Sequence, residues 1–294
     1  MSKKKFKEIN FVNKSSRGFQ FDCISYQDLL QKKPDDHSQF EFHRLSFYGI
    51  LLCTDKGGVH NVNFQDYKLK EGTLLTLRKD NVHKFYPTKA KGILLVFTEN
   101  FVLSYSNKIQ ATKAFQLFNE MLASPRLQLN NGELNEINTL MQRILAEYKD
   151  AKDDHSANIL RSLLQVIITK LFRIKSQKSI VFSNQKYLAK FLELQALVEK
   201  ECFQHKTVAY YAKAMGVTTK TLNNITQNII EKSAKSFINQ IVITHSKRLI
   251  INSTDSLTEI AFQTGFEDPT NFFKYFKKYA GLSPSEFRES NLPT

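Results

Sequence analysis

Apolar and polar positions change rhythm twice along the chain. From about Phe40 to Val102 the apolar residues come in short runs: FEFHRLSFYGILLC, GVHNVNF, TLLTLR, HKFYP and GILLVF. Lys56-Gly57-Gly58, Glu71-Gly72 and Lys91-Gly92 separate them and suit turns, so the segment predicts the strands of a small sandwich or barrel. From about Lys108 the spacing becomes helical, in TKAFQLFNEMLAS, GELNEINTLMQRILAEYK and SANILRSLLQVIITKLFRIK. Leu134, Ile137, Leu140, Met141, Ile144 and Leu145 form one apolar stripe; Leu160, Leu163, Leu164, Ile167, Ile168 and Leu171 form another. Such stripes pack on their own domain or pair two copies of a chain, and one helix can do each. Residues 175–185 carry no stripe and read as a linker. From Lys186, LAKFLELQALVEKECF leads as a helix into the last third of the chain.

That last third is punctuated by helix starts and stops. Ser256 and Glu259 spell a capping box, with Leu257, Ile260 and Ala261 at helical spacing behind it and Gly265 as the stop. Asp268 suits an N-cap and Pro269 the first helical position, so a second helix begins after a tight turn. Phe272 and Phe276 stand one turn apart on its packing side, with Tyr275 and Tyr279 beside them; Thr270, Phe273, Lys274 and Lys277 line the opposite face. Ser283, Pro284 and Glu286 start a further helix whose Phe287 closes a small core. The layout occurs twice. In TVAYYAKAMGVTTKTLNNITQNI, Val208, Tyr211, Ala212 and Gly216 match Leu257, Ile260, Ala261 and Gly265, and Leu222, Ile225 and Ile229 match Phe272, Tyr275 and Tyr279 one residue further on. Lys220, Asn223, Asn224 and Gln227 then occupy the outward positions.

These residues resemble the AraC/XylS family of transcription regulators, whose DNA-binding domain is two helix-turn-helix units joined by a long helix. The segment IAFQTGFEDPTNFFKYFKKYAGLSPSEFR carries the resemblance over nearly the whole family signature. The chain departs from the family pattern at Thr226, where a Phe is usual, at Glu231, where Gly is usual, and at Val242, where Arg is usual. Residues 40–102 resemble the cupin-like N-terminal domain of many such regulators, including an Arg-x-x-Phe-Tyr strand at Arg44, Phe47 and Tyr48. The resemblance implies an α+β chain of two domains. Residues 1–107 are a cupin-like sensory barrel, 108–174 a helical segment packing on it and available for dimerisation, and 175–185 the linker. Residues 186–294 are the DNA-binding domain, with its first helix-turn-helix at 207–229, connecting helix at 235–252 and second helix-turn-helix at 256–279.

Composition changes this picture little. The net charge of +14 favours a polyanionic partner, yet 28 basic and 18 acidic residues precede Lys186, against 14 and 10 from there on, so charge does not locate the DNA-binding half. Cys23, Cys53 and Cys202 have no paired spacing, which argues against a disulfide or zinc framework and for a reducing compartment. MSKKKFKEIN has no apolar run behind its basic cluster, and no stretch is long enough to span a bilayer; a soluble, cytoplasmic protein is expected. Neither a Ser-His-Asp or Cys-His order nor a Gly-rich phosphate loop is present in the sequence. Many cupins hold a metal through His-x-His, Glu and a later His; here Val62 stands where the ligand after His60 belongs, and His83 occupies the later position. That leaves too few donors, so no metal or other cofactor is expected. His43, His60 and His83 could instead hydrogen-bond a ligand in the barrel.

The expected chemistry is base reading. Lys220 can donate to guanine and Asn223 or Asn224 can pair with adenine, with Thr219 and Gln227 on the same face. In the second helix Lys274 can take a guanine while Thr270 and Asn271 meet base edges or a thymine methyl. Lys277 and Lys278 suit phosphates. Phe273 either touches a thymine methyl or is covered by a neighbouring helix. The function expected is a sequence-specific DNA-binding regulator, an activator that answers a small-molecule effector in the barrel, contacts RNA polymerase and acts as a homodimer. The alternatives are a ligand-independent dimeric DNA-binding protein and a metal-dependent cupin enzyme carrying a DNA-binding tail.

Overall fold

The computed structural model describes residues 7–11, 20–31, 40–55, 57–103, 117–119, 124–150, 153, 155–178 and 185–291. They divide into two units, Lys7–Lys178 and a second within 179–294.

In the first unit, one sheet has the order β1 (Lys7–Ile9), β3 (His43–Leu45), β8 (Val82–Phe85), β5 (Val59–Val62) and β6 (Gln65–Lys68). The other has β10 (Arg126–Gln128), β7 (Thr73–Leu77), β4 (Tyr48–Cys53), β9 (Gly92–Phe97) and β2 (Phe21–Ser25). Strands β1 and β3 are parallel; the other pairings are antiparallel. Leu45, Val62 and Phe85 of the first sheet share a core with Leu51, Cys53, Leu75 and Leu94 of the second. Strand β4 is buried on both faces, since Ile50 and Leu52 point away from that core into another. This is why its sequence is an unbroken apolar run rather than an alternation.

The run FEFHRLSFYGILLC, expected as one strand, is two strands in different sheets. The chain turns at Ser46, whose N–H donates to Ile9 O at 3.1 Å and whose Oγ accepts from Phe11 N at 3.2 Å, and Phe47 drops into the inter-sheet core. Lys91-Gly92 is likewise no turn: Gly92 opens β9 opposite Cys53, where a Cβ would collide with Leu52 O. Asn63 and Phe64 take left-handed φ values of 50° and 64° and reverse β5 into β6.

Helices α1 (Tyr26–Gln31), α2 (Glu99–Leu103), α3 (Asn131–Asp150) and α4 (Ser156–Lys178) complete the unit. Ile137, Met141 and Ile144 of α3 and Leu160, Leu164, Ile167, Ile168 and Leu171 of α4 join Phe21, Ile50, Leu52 and Phe97 in a single core. Each such side chain contributes about 1.5–3 kcal/mol by leaving water, so both apolar stripes are spent within their own unit. The large apolar side chains left exposed on α4 are Ile159 (43%) and Val166 (42%), seven residues apart on one face. Helix α4 also runs through 175–178, part of the expected linker. Its apolar stripe ends near Ile174, but the Lys175 ammonium donates to Leu117 O at 3.2 Å and Ser124 O at 3.3 Å and anchors a further turn. The expected helix over 112–124 falls mostly outside the described residues, as do 179–184 and the N-terminal basic cluster.

The second unit contains α5 (Gln185–Glu201), α6 (Val208–Ala214), α7 (Thr219–Ile230), α8 (Ala234–Asn252), α9 (Leu257–Gln263), α10 (Pro269–Ala280) and α11 (Pro284–Asn291). Helix α8 is apolar nearly all round, with Phe237, Ile238, Ile241, Val242, Ile243, Ile250 and Ile251 buried. A helix of that composition must be covered on every side. Helices α6 and α7 pack on it, and so do α9, α10 and α11.

Candidate nucleic-acid interface

The second helix pair is held by hydrogen bonds its sequence announces. Ser256 Oγ accepts from Glu259 N at 3.1 Å while Glu259 Oε2 accepts from Ser256 N at 2.7 Å, so both halves of the capping box exist. Gly265, at φ +73°, makes the turn, and Asp268 Oδ1 accepts from Thr270 N at 2.8 Å at the start of α10. Phe272 and Phe276 are fully buried, which points the other side of the helix outward. Thr270, Asn271, Lys274, Lys277 and Lys278 are exposed there. Phe273 is half-buried, its ring centroid 6.0 Å from that of Phe272.

The first pair repeats the arrangement with other residues. Thr207 Oγ1 accepts from Tyr210 N and Thr218 Oγ1 from Thr221 N at the starts of α6 and α7, and Gly216 turns between them at φ +63°. With Leu222, Ile225 and Ile229 buried, Thr219, Lys220, Asn224 and Gln227 lie on the exposed face of α7. Lys220 and Lys274 have no ion-pair partner among the described residues, so their ammonium groups are available to an anion or a base edge. Asn223 is different. Its Oδ1 accepts from Ala234 N at 3.0 Å and its Nδ2 donates to Thr219 O at 3.0 Å, so the amide is already engaged in joining α7 to the start of α8. Thr226, where the family pattern has Phe, is fully buried and donates its hydroxyl to Asn223 O at 3.1 Å. Glu231 takes the left-handed conformation, φ 54°, as the cap of α7.

The second pair is tied to the rest of the unit by contacts with residues outside the repeat. Tyr275 Oη donates to Asn239 Oδ1 of α8 at 2.8 Å. Arg288 Nε donates to Ile250 O at 3.0 Å and its Nη2 to Asp255 O at 2.9 Å, tying α11 to the end of α8. Lys206, between α5 and α6, reaches Gly265 O in the turn of the second pair at 3.0 Å. Sequence reading finds neither Lys206 nor Asn239, because each contact spans a long separation, 59 and 36 residues, and leaves no periodic trace.

In the sheet unit, the three histidines singled out from the sequence do come together. His43 lies opposite His83 in the β3–β8 register, and His60 Nε2 and His83 Nδ1 share a hydrogen bond of 3.2 Å. Phe85 sits among them, its ring centroid 4.6 Å from that of His60 and 5.8 Å from that of His43. Burial pushes the His60 pKa down to about 3, with the nearby His43 acting in the same direction, so this imidazole is neutral near pH 7. Its Nδ1 is buried without a hydrogen-bond partner among the described residues. Those residues contain no group of three or more His, Cys, Asp or Glu placed to hold a metal. A separate open cavity of about 530 Å³ is lined by Gln27, Leu30, Phe40, Asp55, Lys89 and Lys91. Leu30 and Phe40 also border the inter-sheet core.

Comparison with known families places this architecture. A family model described as AraC-like ligand binding domain matches residues 27–166, and one described as Helix-turn-helix domain matches 211–290. The two matches fall on the two units in turn. The chain belongs to the AraC/XylS family of transcription regulators. As a member of that family it is a DNA-binding regulator with an N-terminal ligand-binding domain. It is similar to the HTH-type transcriptional activator RhaR of Enterobacter sp. (strain 638), 23% identical over 261 residues that cover 85% of this chain and 87% of that one. The HTH-type transcriptional activator RhaS of the same organism is 20% identical over 260 residues, covering 85% and 88%. Among solved structures it is similar to ToxT from Vibrio cholerae, with a TM-score of 0.45, 14% identity and coverage of 92% and 98%. No helix among the described residues of this AraC-type chain is long and apolar enough to cross a membrane.

Proposed function

We propose that this AraC-type chain activates transcription by reading a bipartite DNA site with α7 and α10, under control of a small molecule bound in the N-terminal barrel. The observation that carries the reading is the pair of exposed polar faces, Lys220, Asn224 and Gln227 on α7 and Thr270, Asn271 and Lys274 on α10, both backed by the one buried helix α8. A helix of this width fits the major groove, and two held in one domain enter consecutive grooves, about 34 Å apart on B-DNA.

Roles follow from exposure and engagement. Lys220 and Lys274 donate to guanine O6 or N7, and Asn224 pairs with adenine. Asn223 positions α7 instead, because its amide is used within the domain. Thr219, Gln227, Thr270 and Asn271 complete the two base-facing surfaces, Phe273 offers a ring edge to a thymine methyl, and Lys277 and Lys278 fix register on phosphates. In the barrel, His60 offers a buried neutral imidazole nitrogen to the effector, with His43 and His83 beside it. Two copies pair through the exposed side of α4, and the DNA-bound dimer recruits RNA polymerase. The test is transcription in vitro by purified RNA polymerase from a promoter carrying the protein's strongest binding site. Added protein should raise transcript yield; a fall would make it a repressor.

A further inference from the structure

The two helix-turn-helix pairs are alike in design but differ at their turns. Gly216 and Gly265 both take left-handed φ values, +63° and +73°, yet a Cβ on Gly216 would meet open space, whereas one on Gly265 would collide with Phe203 O. The turn of the second pair is thus pressed against the segment that leads into the first. Lys206 sits at that junction. Its Nζ donates to Phe203 O at 2.7 Å on its own side and to Gly265 O at 3.0 Å across the gap, and lies 4.7 Å from the ring centroid of Phe266. The residue is half-buried, and loss of solvent lowers its pKa.

The rest of the junction is braced. Phe203 meets the His245 ring of α8 edge-on with centroids 6.0 Å apart, and Cys202 Sγ lies 3.8 Å from His245 Nδ1. Tyr211 Oη of α6 donates to His205 O at 2.6 Å. The carbonyl of Phe203 is therefore fixed to the first pair and α8, the carbonyl of Gly265 belongs to the second pair, and one ammonium holds both. Two carbonyl oxygens repel each other at close range unless a cation lies between them.

We propose that Lys206 is a positioning residue which clamps the two helix-turn-helix pairs at one relative placement, and so sets the base-pair separation between the two halves of the DNA site. This rests on the reading that α7 and α10 each contact bases. Lys206 touches no base in this account; its effect is on the distance and twist between the two reading helices. One additional base pair shifts the second groove by about 3.4 Å along the axis, a displacement that a clamped domain does not follow and a loosened one does.

The experiment is selection of bound duplexes from a randomised DNA pool by the full-length protein, the Lys206→Met variant and the Lys206→Arg variant, each checked for folding by circular dichroism. The wild type should recover two sequence boxes at a single separation. Lys206→Met should recover the same two boxes over a wider range of separations. The affinity ratio between the preferred separation and one a base pair longer should fall about fivefold or more, the lower end of ordinary site-to-site coupling, while affinity for a duplex carrying a single box stays unchanged. Lys206→Arg, which keeps a cation and several donors, should restore the single separation. If the Met variant does not fold, Lys206→Gln, which keeps a neutral donor, should show the same broadening. Two boxes with an unaltered separation preference in the variants would overturn the clamp alone, as would an equal loss of single-box and double-box affinity. A single box in the wild type would overturn both the clamp and the two-helix reading beneath it.

Discussion

The Tyr275 hydroxyl donates to Asn239 Oδ1 at 2.8 Å, joining helix α10 to the buried helix α8. Asn239 is buried, so its carbonyl depends on that donor. Tyr275→Phe keeps the ring and removes the proton, which should destabilise the second unit by about 1–3 kcal/mol, the usual cost of stranding a buried acceptor. The urea midpoint of that unit's transition should fall, and affinity for DNA with it. An unchanged midpoint would mean that water replaces the hydroxyl.

Glu231 caps α7 at φ 54°, a conformation in which a side chain crowds the following carbonyl. Glu231→Gly should raise stability by about 1 kcal/mol, since glycine adopts this geometry without that penalty. Thermal melting is the check, and the base preference of the protein should stay as it is.

His60 gives the barrel a signed pH dependence. Its folded pKa, near 3, lies below the 6.5 of an ordinary imidazole. Its contribution to stability is therefore complete above about pH 6.5 and is lost as pH falls toward 3, because only the unfolded chain takes up the proton in that window. The slope from one such group is at most about 1.4 kcal/mol per pH unit. Urea midpoints of the barrel measured from pH 7 to pH 4 should fall more steeply in the wild type than in His60→Gln. Equal slopes would show that His60 accepts a proton in the folded state.

Ile159 and Val166 are the large apolar groups exposed on α4. If two copies pair there, Val166→Glu should yield monomers by sedimentation while the far-ultraviolet circular dichroism of the sheets is retained. A surviving dimer would move the interface elsewhere.

How much of this could be seen in the sequence depends on how local the physics is. The helix starts at Ser256, Asp268 and Ser283 were legible because a cap is a contract between residues two or three apart; Ser283 N donates to Glu286 Oε2 at 2.7 Å and Glu286 N to Ser283 Oγ at 3.3 Å, as the capping box at that position implies. The outward faces of α7 and α10 were legible too, since burial of every third or fourth residue dictates what remains. Asn223 was not, because its partner, Ala234 N, lies beyond the helix end. In the barrel, the apolar run through Ser46 concealed a change of sheet that is decided by Ile9 and Phe11, more than thirty residues earlier in the chain, with one contact separated by 35 positions. Strand β6 (Gln65–Lys68) escaped because a mostly exposed edge strand has no apolar alternation to read. Lys175 extended α4 past its apolar stripe through carbonyls 51 and 58 positions away.

The central claim, that α7 and α10 each read bases, is tested most directly by competition binding of the full-length protein against every single-base variant of its strongest site, repeated with Lys220→Ala and Lys274→Ala at a stated salt concentration. Each substitution should cost about 1–3 kcal/mol and relax preference at one base position, the two positions lying in opposite halves of the site about one helical turn apart. A loss spread evenly over all variants, with a shallower dependence on salt, would make both lysines phosphate contacts and contradict the claim.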